Sequence, residues 1–187
     1  SVVNALSKRL EAEICINGIL YTIVFESQPE EDGSIIPGKV VQPLTNQGRT
    51  RRRGSRIRFW PDDTVFETVD FNFETISKRL RELSFLNKGV NMRLKDERKQ
   101  REDAEHDVTY KSEGGVLDFV KYMNDDKDVL YTAPIIIEGS VDDIRVSVAI
   151  QYNNVYSEGI FSYVNCIPTP EGGMHEPGLQ AAFTKIL

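Results

Sequence analysis

The stretch ICINGILYTIVF, residues 14–25, decides how the first part of the chain folds. Apolar residues alternate with other residues on both sides of Asn17-Gly18, a dipeptide that favours the two-residue turn of a β-hairpin. Alternation with a period of two is typical of strands that bury one face. The pattern therefore predicts an antiparallel hairpin, with one strand before the turn and one after it.

Weaker signals flank this hairpin. Apolar residues at helical spacing from Val2 to Leu10 predict an opening helix. Residues 27–48 hold three prolines and three glycines, which predicts that they are mostly loop. A strand with Ser55 and Ile57 on one face is expected next, and Pro61 is expected to end it.

The second part of the chain holds the clearest helix. An apolar stripe predicts a helix from Phe73 to Leu86, and Asn87-Lys88-Gly89 predicts its end. A strand beginning at Val90 follows, and the charged run Lys95–Asp107 is expected to be the exposed tip of a hairpin. The Gly-Gly pair within residues 110–115 marks the expected domain boundary.

Helices and strands continue without regular alternation beyond this boundary. The pattern predicts a short helix near residues 116–123 and strands at Ile135–Glu138, Ile144–Tyr152 and Gly159–Ile167. This mixture predicts an α+β fold. A last helix begins at Gly178 and has barely two turns by Leu187, so the chain is expected to be an internal piece of a longer protein.

The amino-acid composition limits the classes of protein to which this chain can belong. With 187 residues, 40% of them hydrophobic and 28% charged, the chain resembles an ordinary globular protein. It has no apolar run near the roughly 20 residues of a membrane helix and opens without a secretory signal. The net charge of -6 argues against a nucleic-acid-coating protein. Cys15 and Cys166 are expected to be buried free thiols of a cytoplasmic protein, and the His and Cys spacing predicts no metal site.

Several strings, read in order, resemble the B subunits of the bacterial type II DNA topoisomerases, which are DNA gyrase and topoisomerase IV. Prominent among them are SVVNALS at 1–7, RGSRIRFWPD at 53–62, RELSFLNKGV at 81–90, EGG at 113–115 and SYVNCIPTPEGGMHEPG at 162–178. The resemblance covers essentially the whole chain. It does not distinguish gyrase from topoisomerase IV, because their discriminating C-terminal regions are absent from these residues.

The resemblance implies an α+β protein of two parts. Residues 1–111 are expected to be the C-terminal part of an ATPase domain of the gyrase, histidine kinase and MutL type, with helices on one face of a mixed sheet. Residues 112–187 are expected to be the first part of a transducer domain related to a ribosomal-protein fold. The implied parent uses ATP and Mg2+ to drive DNA strand passage, and its partners are DNA, the topoisomerase A subunit and a second copy of itself. The alternative is a stand-alone, non-enzymatic interaction module built on the same folds.

The resemblance also places the hydrolytic residues outside this chain. The family's catalytic glutamate, magnesium-binding asparagine, adenine-reading aspartate and Gly-rich lid precede the SVVNALS string. The transducer's Gln-Thr-Lys loop follows the position of Leu187. None of the 187 residues is therefore expected to be catalytic or to bind a metal, and the isolated segment is expected to be inactive.

Three residues are expected at the nucleotide site of the intact protein. Ser55 stands where the family usually has a threonine whose hydroxyl helps to hold the adenine-reading water and aspartate. Ile57 lies on the same strand face and is expected to line the adenine pocket, although an ordinary core residue has the same pattern. Ser1 begins a helix whose first N–H groups lack intrahelical partners, as at the phosphate-binding helix start of the family.

Other positions depart from the family or leave their role open. Ile16 stands where many gyrases have an arginine that binds aminocoumarin inhibitors, and Met174 replaces the threonine of the usual Gly-Gly-Thr-His. His175 is expected to be a packed or capping histidine. The arginines from Arg49 to Arg58 are interpreted as a solvated loop plus one polar strand face, rather than as a DNA-facing patch. Arg145 is expected to line the DNA cavity of the transducer.

Overall fold

The computed structural model describes residues 1–30, 35–98, 107–156 and 159–186. They form two compact units, Ser1–Phe71 and Asn72–Leu187, which combine helices with sheets. The predicted α+β class is confirmed, and the strand pairings of the described residues are all antiparallel. Most of the predicted hairpin tip, including His106, lies outside the described residues.

The first unit is built on a four-stranded sheet of order β3-β2-β1-β4. Its elements are α1 (Val2–Ala5), β1 (Ser7–Ile16), β2 (Ile19–Pro29), β3 (Ile35–Arg49) and β4 (Gly54–Pro61). The predicted hairpin is confirmed, since β1 and β2 pair up to Ile16 and Ile19. Asn17 and Gly18 both have positive φ, 53° and 75°, as this type of tight turn requires.

The predicted opening helix is wrong beyond its first turn. α1 ends at Ala5, and Leu10 lies in β1 directly opposite Phe25 of β2 and Phe59 of β4. These two neighbours bury Leu10. Burial between two strands outweighs the local helical spacing, which carries no information about strands far along the chain.

The predicted loop over residues 27–48 is also wrong in large part. β2 extends to Pro29, and β3 is a strand of 15 residues that pairs with β2. β3 has only one neighbour in the sheet, so Pro37 and Pro43 remove no obligatory hydrogen bond on its free side. The pairing of β2 with β3 shifts register at four places, and such shifts allow strand pairing to continue past residues that do not fit a regular ladder.

The two faces of this sheet differ in chemistry. Residues directly opposite each other share a face. One face is mostly apolar and includes Leu10, Ala12, Ile14, Ile23, Phe25, Ile57 and Phe59. The other face is mostly charged and includes Arg9, Glu11, Glu13, Glu26, Arg56 and Arg58.

The second unit is centred on α2 (Phe73–Leu86), whose predicted bounds are confirmed. The other elements are β5 (Met92–Lys95), β6 (Asp107–Tyr110), α3 (Val116–Met123), β7 (Ile135–Val141), β8 (Ile144–Ile150), β9 (Tyr163–Val164), β10 (Ile167–Pro168) and α4 (His175–Ile186). The Asn72 side chain accepts the Thr75 N–H at 2.8 Å and caps α2. Gly89 has a φ of 80° just after its end.

The predicted strand over 159–167 is the main correction in this unit. It is replaced by the two-residue strands β9 and β10, which flank a turn at Asn165 and Cys166. Both turn residues have positive φ, 49° and 64°. Cys166 is therefore half-buried in a turn rather than buried in a strand, whereas Cys15 is buried as predicted and both thiols are free.

Candidate functional site

The predicted adenine-side residues lie on β4, which has one neighbour in the four-stranded sheet. Ser55 is directly opposite Ile14 of β1, and Ile57 is directly opposite Ala12. Both residues therefore lie on the mostly apolar face. Ile57 is 55% exposed, so its part of the face is open. A hydroxyl beside an open aliphatic surface suits a flat ring that carries a polar edge.

The predicted phosphate-side residue caps a helix of only one turn. Ser1 is the exposed N-cap of α1, and its carbonyl accepts the Ala5 N–H at 3.0 Å. Its side chain makes no capping hydrogen bond. At the other end of the helix, the Leu6 carbonyl accepts the Asp62 N–H at 3.1 Å. This bond fastens α1 to the residue that follows β4.

The end of α1 and Ser55 lie at opposite ends of β4. Ser7 follows α1 and pairs with Pro61, the last residue of β4. Ser55 precedes Pro61 by six residues, which is about 20 Å along an extended strand. The strand therefore separates the adenine-side residues from the fastened end of α1.

The aspartate of the RGSRIRFWPD string has a structural role. Asp62 is buried, and its carboxylate accepts the hydroxyl and the N–H of Thr64 at 2.7 and 2.9 Å. These hydrogen bonds hold the pKa of Asp62 below its usual range. The ionised carboxylate thus stabilises the turn that follows β4.

The polar-face interpretation of the arginine cluster is confirmed for the strand. Arg56 and Arg58 project from β4 beside Glu13 and Glu11 of β1, at 3.8 and 3.4 Å. Arg52, in the turn before β4, lies 3.5 Å from Glu13. The three arginine side chains remain 54–57% exposed, and the buried Glu13 Oε2 accepts no hydrogen bond among the described residues, so these ion pairs are loose.

The positions that depart from the family pattern are exposed. Ile16 ends β1 beside the tight turn, and Met174 immediately precedes α4. His175 is the first residue of α4 and is exposed, so the packed alternative is wrong, and the capping alternative stays a prediction. Its Nε2 lies 3.2 Å from the Thr169 hydroxyl.

Arg145 lies on the β7–β8 hairpin, directly opposite Ser140, and is exposed. Asp142 and Asp143 form the turn beside it, and Glu138 lies on the same face. These carboxylates lower the local positive potential. The predicted contact of Arg145 with DNA stays a prediction.

The EGG string builds the turn that starts α3. The Asp118 carboxylate accepts the Ser112 hydroxyl at 2.7 Å and the Gly114 N–H at 2.8 Å. A Cβ on Gly114 would meet an oxygen of Asp118 at 2.2 Å, and Gly115 has a φ of 64°. Gly115 thus adopts a backbone conformation that favours glycine, and Gly114 leaves room for the Asp118 carboxylate.

Sequence reasoning missed a polar cluster that joins α2 to the β9–β10 hairpin. Glu82 accepts hydrogen bonds from the Tyr163 hydroxyl and from Arg79, and Arg79 also donates to the Cys166 carbonyl at 3.0 Å. Burial and the neighbouring carboxylate raise the pKa of Tyr163. The Phe85 and Phe119 rings stack beside this cluster at 5.1 Å. The partners are some 80 positions apart, so no local pattern could reveal them.

The described residues lack two features, a metal-binding cluster and a membrane-spanning helix. Within residues 1–30, 35–98, 107–156 and 159–186, there is no group of three or more His, Cys, Asp or Glu side chains arranged to hold a metal ion. None of the helices in this part of the chain is long and apolar enough to cross a membrane.

Comparisons with known proteins find similarity to the B subunits of DNA gyrase and of DNA topoisomerase 4. Residues 115–187 match the family model described as DNA gyrase B. The whole chain is 42% identical to the B subunit of DNA gyrase from Staphylococcus epidermidis, and 99% of it is 42% identical to the B subunit of DNA topoisomerase 4 from Enterococcus faecalis. The chain spans only 27% and 25% of these relatives.

A solved structure shows the same fold. The 43K ATPase domain of Thermus thermophilus gyrase B, in complex with an aminocoumarin, matches 98% of this chain with a TM-score of 0.78 and 30% identity. The chain covers 47% of that structure. The similarity therefore extends over both the sheet and the helix-centred unit.

Proposed function

The chain belongs to the family of DNA gyrase and topoisomerase IV B subunits, and we propose that it is the part of such a protein in which the ATPase domain passes into the transducer domain. Residues 1–111 are the C-terminal part of the ATPase domain in this proposal, and residues 112–187 are the first part of the transducer. The start of the family match at Gly115 supports this boundary. The compact units divide earlier, after Phe71, because α2 packs with the elements that follow Gly115.

The proposed parent couples ATP binding and hydrolysis to the passage of one DNA duplex through another. Its partners are DNA, the topoisomerase A subunit and a second copy of itself, and it works in the cytoplasm. The observation that carries this proposal is the similarity of the whole chain to B subunits of both gyrase and topoisomerase IV. The chain spans about a quarter of these relatives, so the activity is proposed for the parent and not for the segment.

Within the parent, Ser55 and Ile57 are proposed to contact the adenine side of the nucleotide, and Ser1 the phosphate side. Their support is the shared open face of Ser55 and Ile57 and the fixed position of the end of α1. Within the described residues there is no group of three or more His, Cys, Asp or Glu side chains that could hold a metal ion. The proposal assigns the magnesium ligand and the general base to other parts of the parent, as the family resemblance implies, and the isolated 187 residues are proposed not to hydrolyse ATP.

Paired substitutions at Ser55 test the nucleotide assignment in the full-length parent. Ser55→Ala is expected to weaken binding of a non-hydrolysable ATP analogue by about 1–2 kcal/mol, because it removes the hydroxyl that is proposed to hydrogen-bond at the adenine side of the bound nucleotide. Ser55→Thr keeps the hydroxyl and is expected to be nearly neutral. Calorimetric titration measures both affinities. Small and equal effects of the two substitutions would remove Ser55 from the site.

A further inference from the structure

The charge of the protein is distributed unevenly along the first unit. The segment from Ile35 to Pro61 holds one lysine and six arginines and has no aspartate or glutamate, in a chain whose net charge is -6. The arginines form one continuous group across the β3–β4 turn and β4, which we term the arginine surface. It consists of Arg49, Arg51, Arg52, Arg53, Arg56 and Arg58.

The turn that carries these arginines is held by hydrogen bonds. The Thr50 N–H donates to the Gly18 carbonyl at 2.9 Å, which ties the β3–β4 turn to the β1–β2 turn. The Arg52 N–H donates to the Thr50 hydroxyl at 3.0 Å, and the Gly48 N–H donates to the Asn46 side chain at 2.8 Å. A fixed turn presents its side chains to a partner at a lower entropic cost than a flexible tail.

Among the described residues, two carboxylates lie within 4 Å of the six guanidinium groups. Glu13 is shared between Arg52 and Arg56, and Glu11 is shared between Arg58 and Arg9. Across the ranges that the structure describes, Arg49, Arg51 and Arg53 have no carboxylate within 4 Å. Six positive charges against two negative ones leave an excess of four.

The existing ion pairs leave the guanidinium groups available. Their N–O distances are 3.4–3.8 Å, against 2.6 Å for Arg79 and Glu82 in the second unit. Each guanidinium carries five N–H donors, and loose pairing occupies few of them. The surface is therefore a set of exposed donors with excess positive charge.

We propose that the arginine surface, which the sequence alone favoured as a solvated face, binds the phosphate backbone of duplex DNA. A guanidinium group can donate two parallel hydrogen bonds to the oxygens of one phosphate. Closely spaced arginines are also attracted to a polyanion of high charge density, such as duplex DNA. Such contacts position DNA without reading its sequence. The choice of DNA over an acidic protein rests on the proposed function, in which the parent already holds a duplex.

A salt titration of DNA binding tests this proposal in the full-length parent protein. The variant R49Q/R51Q/R53Q removes the three arginines that lack carboxylate partners, and K78Q/K121Q/K185Q removes three exposed lysines of the second unit as a matched control. Affinity for a labelled duplex of random sequence is measured over a range of salt concentrations. The arginine variant is expected to lose about tenfold in affinity at low salt, and the slope of log affinity against log salt is expected to fall by about 2–3.

A charge-conserving variant separates binding from misfolding. R49K/R51K/R53K keeps the positive charge and is expected to retain most of the slope, whereas a folding defect would affect it as much as the glutamine variant. An unchanged slope in the glutamine variant, or an equal loss in the lysine control, would overturn the proposal. A loss of ATP-analogue binding with unchanged DNA binding would also overturn it, because it would assign the arginines to the nucleotide. If the unaltered parent protein binds neither DNA nor ATP, the proposed function itself fails.

Discussion

Residues 1–71 are joined by three backbone ladders and half-exposed ion pairs, whereas residues 72–187 are joined by side chains that converge on α2. The buried apolar side chains of the described residues all lie in the two central strands of the first unit, at Leu10, Ala12, Cys15 and Val24. The second unit relies on stacked rings and on the Glu82 cluster. The hydrogen bonds between strands satisfy the backbone polar groups but leave both faces of the sheet to be covered. The side chains of a helix, in contrast, pack directly against neighbouring elements.

Both units nevertheless leave apolar surface open. The mostly apolar sheet face exposes Ile57 by 55%, and the β7–β8 hairpin exposes Val141 by 74% and Ile144 by 68%. Apolar side chains that are exposed to this extent indicate that these faces need partners to be stable in water.

The largest expected effect concerns these open faces. We predict that the isolated 187-residue polypeptide self-associates, because a few hundred Å² of exposed apolar surface are worth several kcal/mol. Ile144→Lys on the hairpin is expected to reduce association more than Ile57→Lys on the sheet, since the hairpin residue is the more exposed. Sedimentation velocity measures the association state. A monomer with a sharp cooperative melt would show that the units need no covering.

The second-largest expected effect is a loss of stability in the second unit when its side-chain packing is disturbed. Gly114→Ala is expected to destabilise it by about 2 kcal/mol, because the added Cβ would meet Asp118 at 2.2 Å and open the turn before α3. Gly178→Ala in α4 is the control, since nothing lies within 4 Å of the added methyl group. Alanine favours a helix over glycine by about 1 kcal/mol, so this control is expected to stabilise. Urea denaturation at low protein concentration compares the two, and equal midpoints would contradict the prediction.

The same contrast explains what the sequence could predict. The bounds of α2 were predicted because its stripe and its stop signal are local. β3 and the strand position of Leu10 were missed because their partners are distant, and sheet pairing overrode the prolines and the helical spacing. Ser55 and Ile57 were singled out only through resemblance, since a pocket wall and a core strand have the same alternation. The Tyr163–Glu82 contact joins residues 81 positions apart and has no local signature.

The smallest expected effect is the difference in stability cost between a Glu→Gln substitution in the second unit and one in the first unit. Glu82→Gln is expected to destabilise by about 1–2 kcal/mol, because Glu82 is 24% exposed and accepts hydrogen bonds from two partners. Glu13→Gln is expected to cost about 0.5 kcal/mol or less, because its arginine partners are half-exposed and lie 3.5–3.8 Å away. Urea midpoints at neutral pH measure both. An equal cost would mean that the ladders and the side-chain clusters do not differ in this respect.

The effect of Glu82→Gln on stability is expected to depend on pH, because the pKa of Glu82 is lowered in the folded protein. Burial opposes ionisation of Glu82, but the hydrogen bonds from Tyr163 and Arg79 outweigh it and hold its pKa below the usual 4.5. A carboxyl whose pKa is lowered by folding stabilises the protein above its unfolded pKa, and this contribution is lost as the pH falls through the folded pKa. The stability difference between the unaltered protein and Glu82→Gln is therefore expected to be constant near neutral pH and to shrink as the pH falls below 4.5, the usual pKa of a glutamate, and through the lowered pKa of Glu82. Urea midpoints from neutral to acid pH measure it, and a difference that stays constant down to acid pH would show that the carboxylate charge contributes nothing to the cluster.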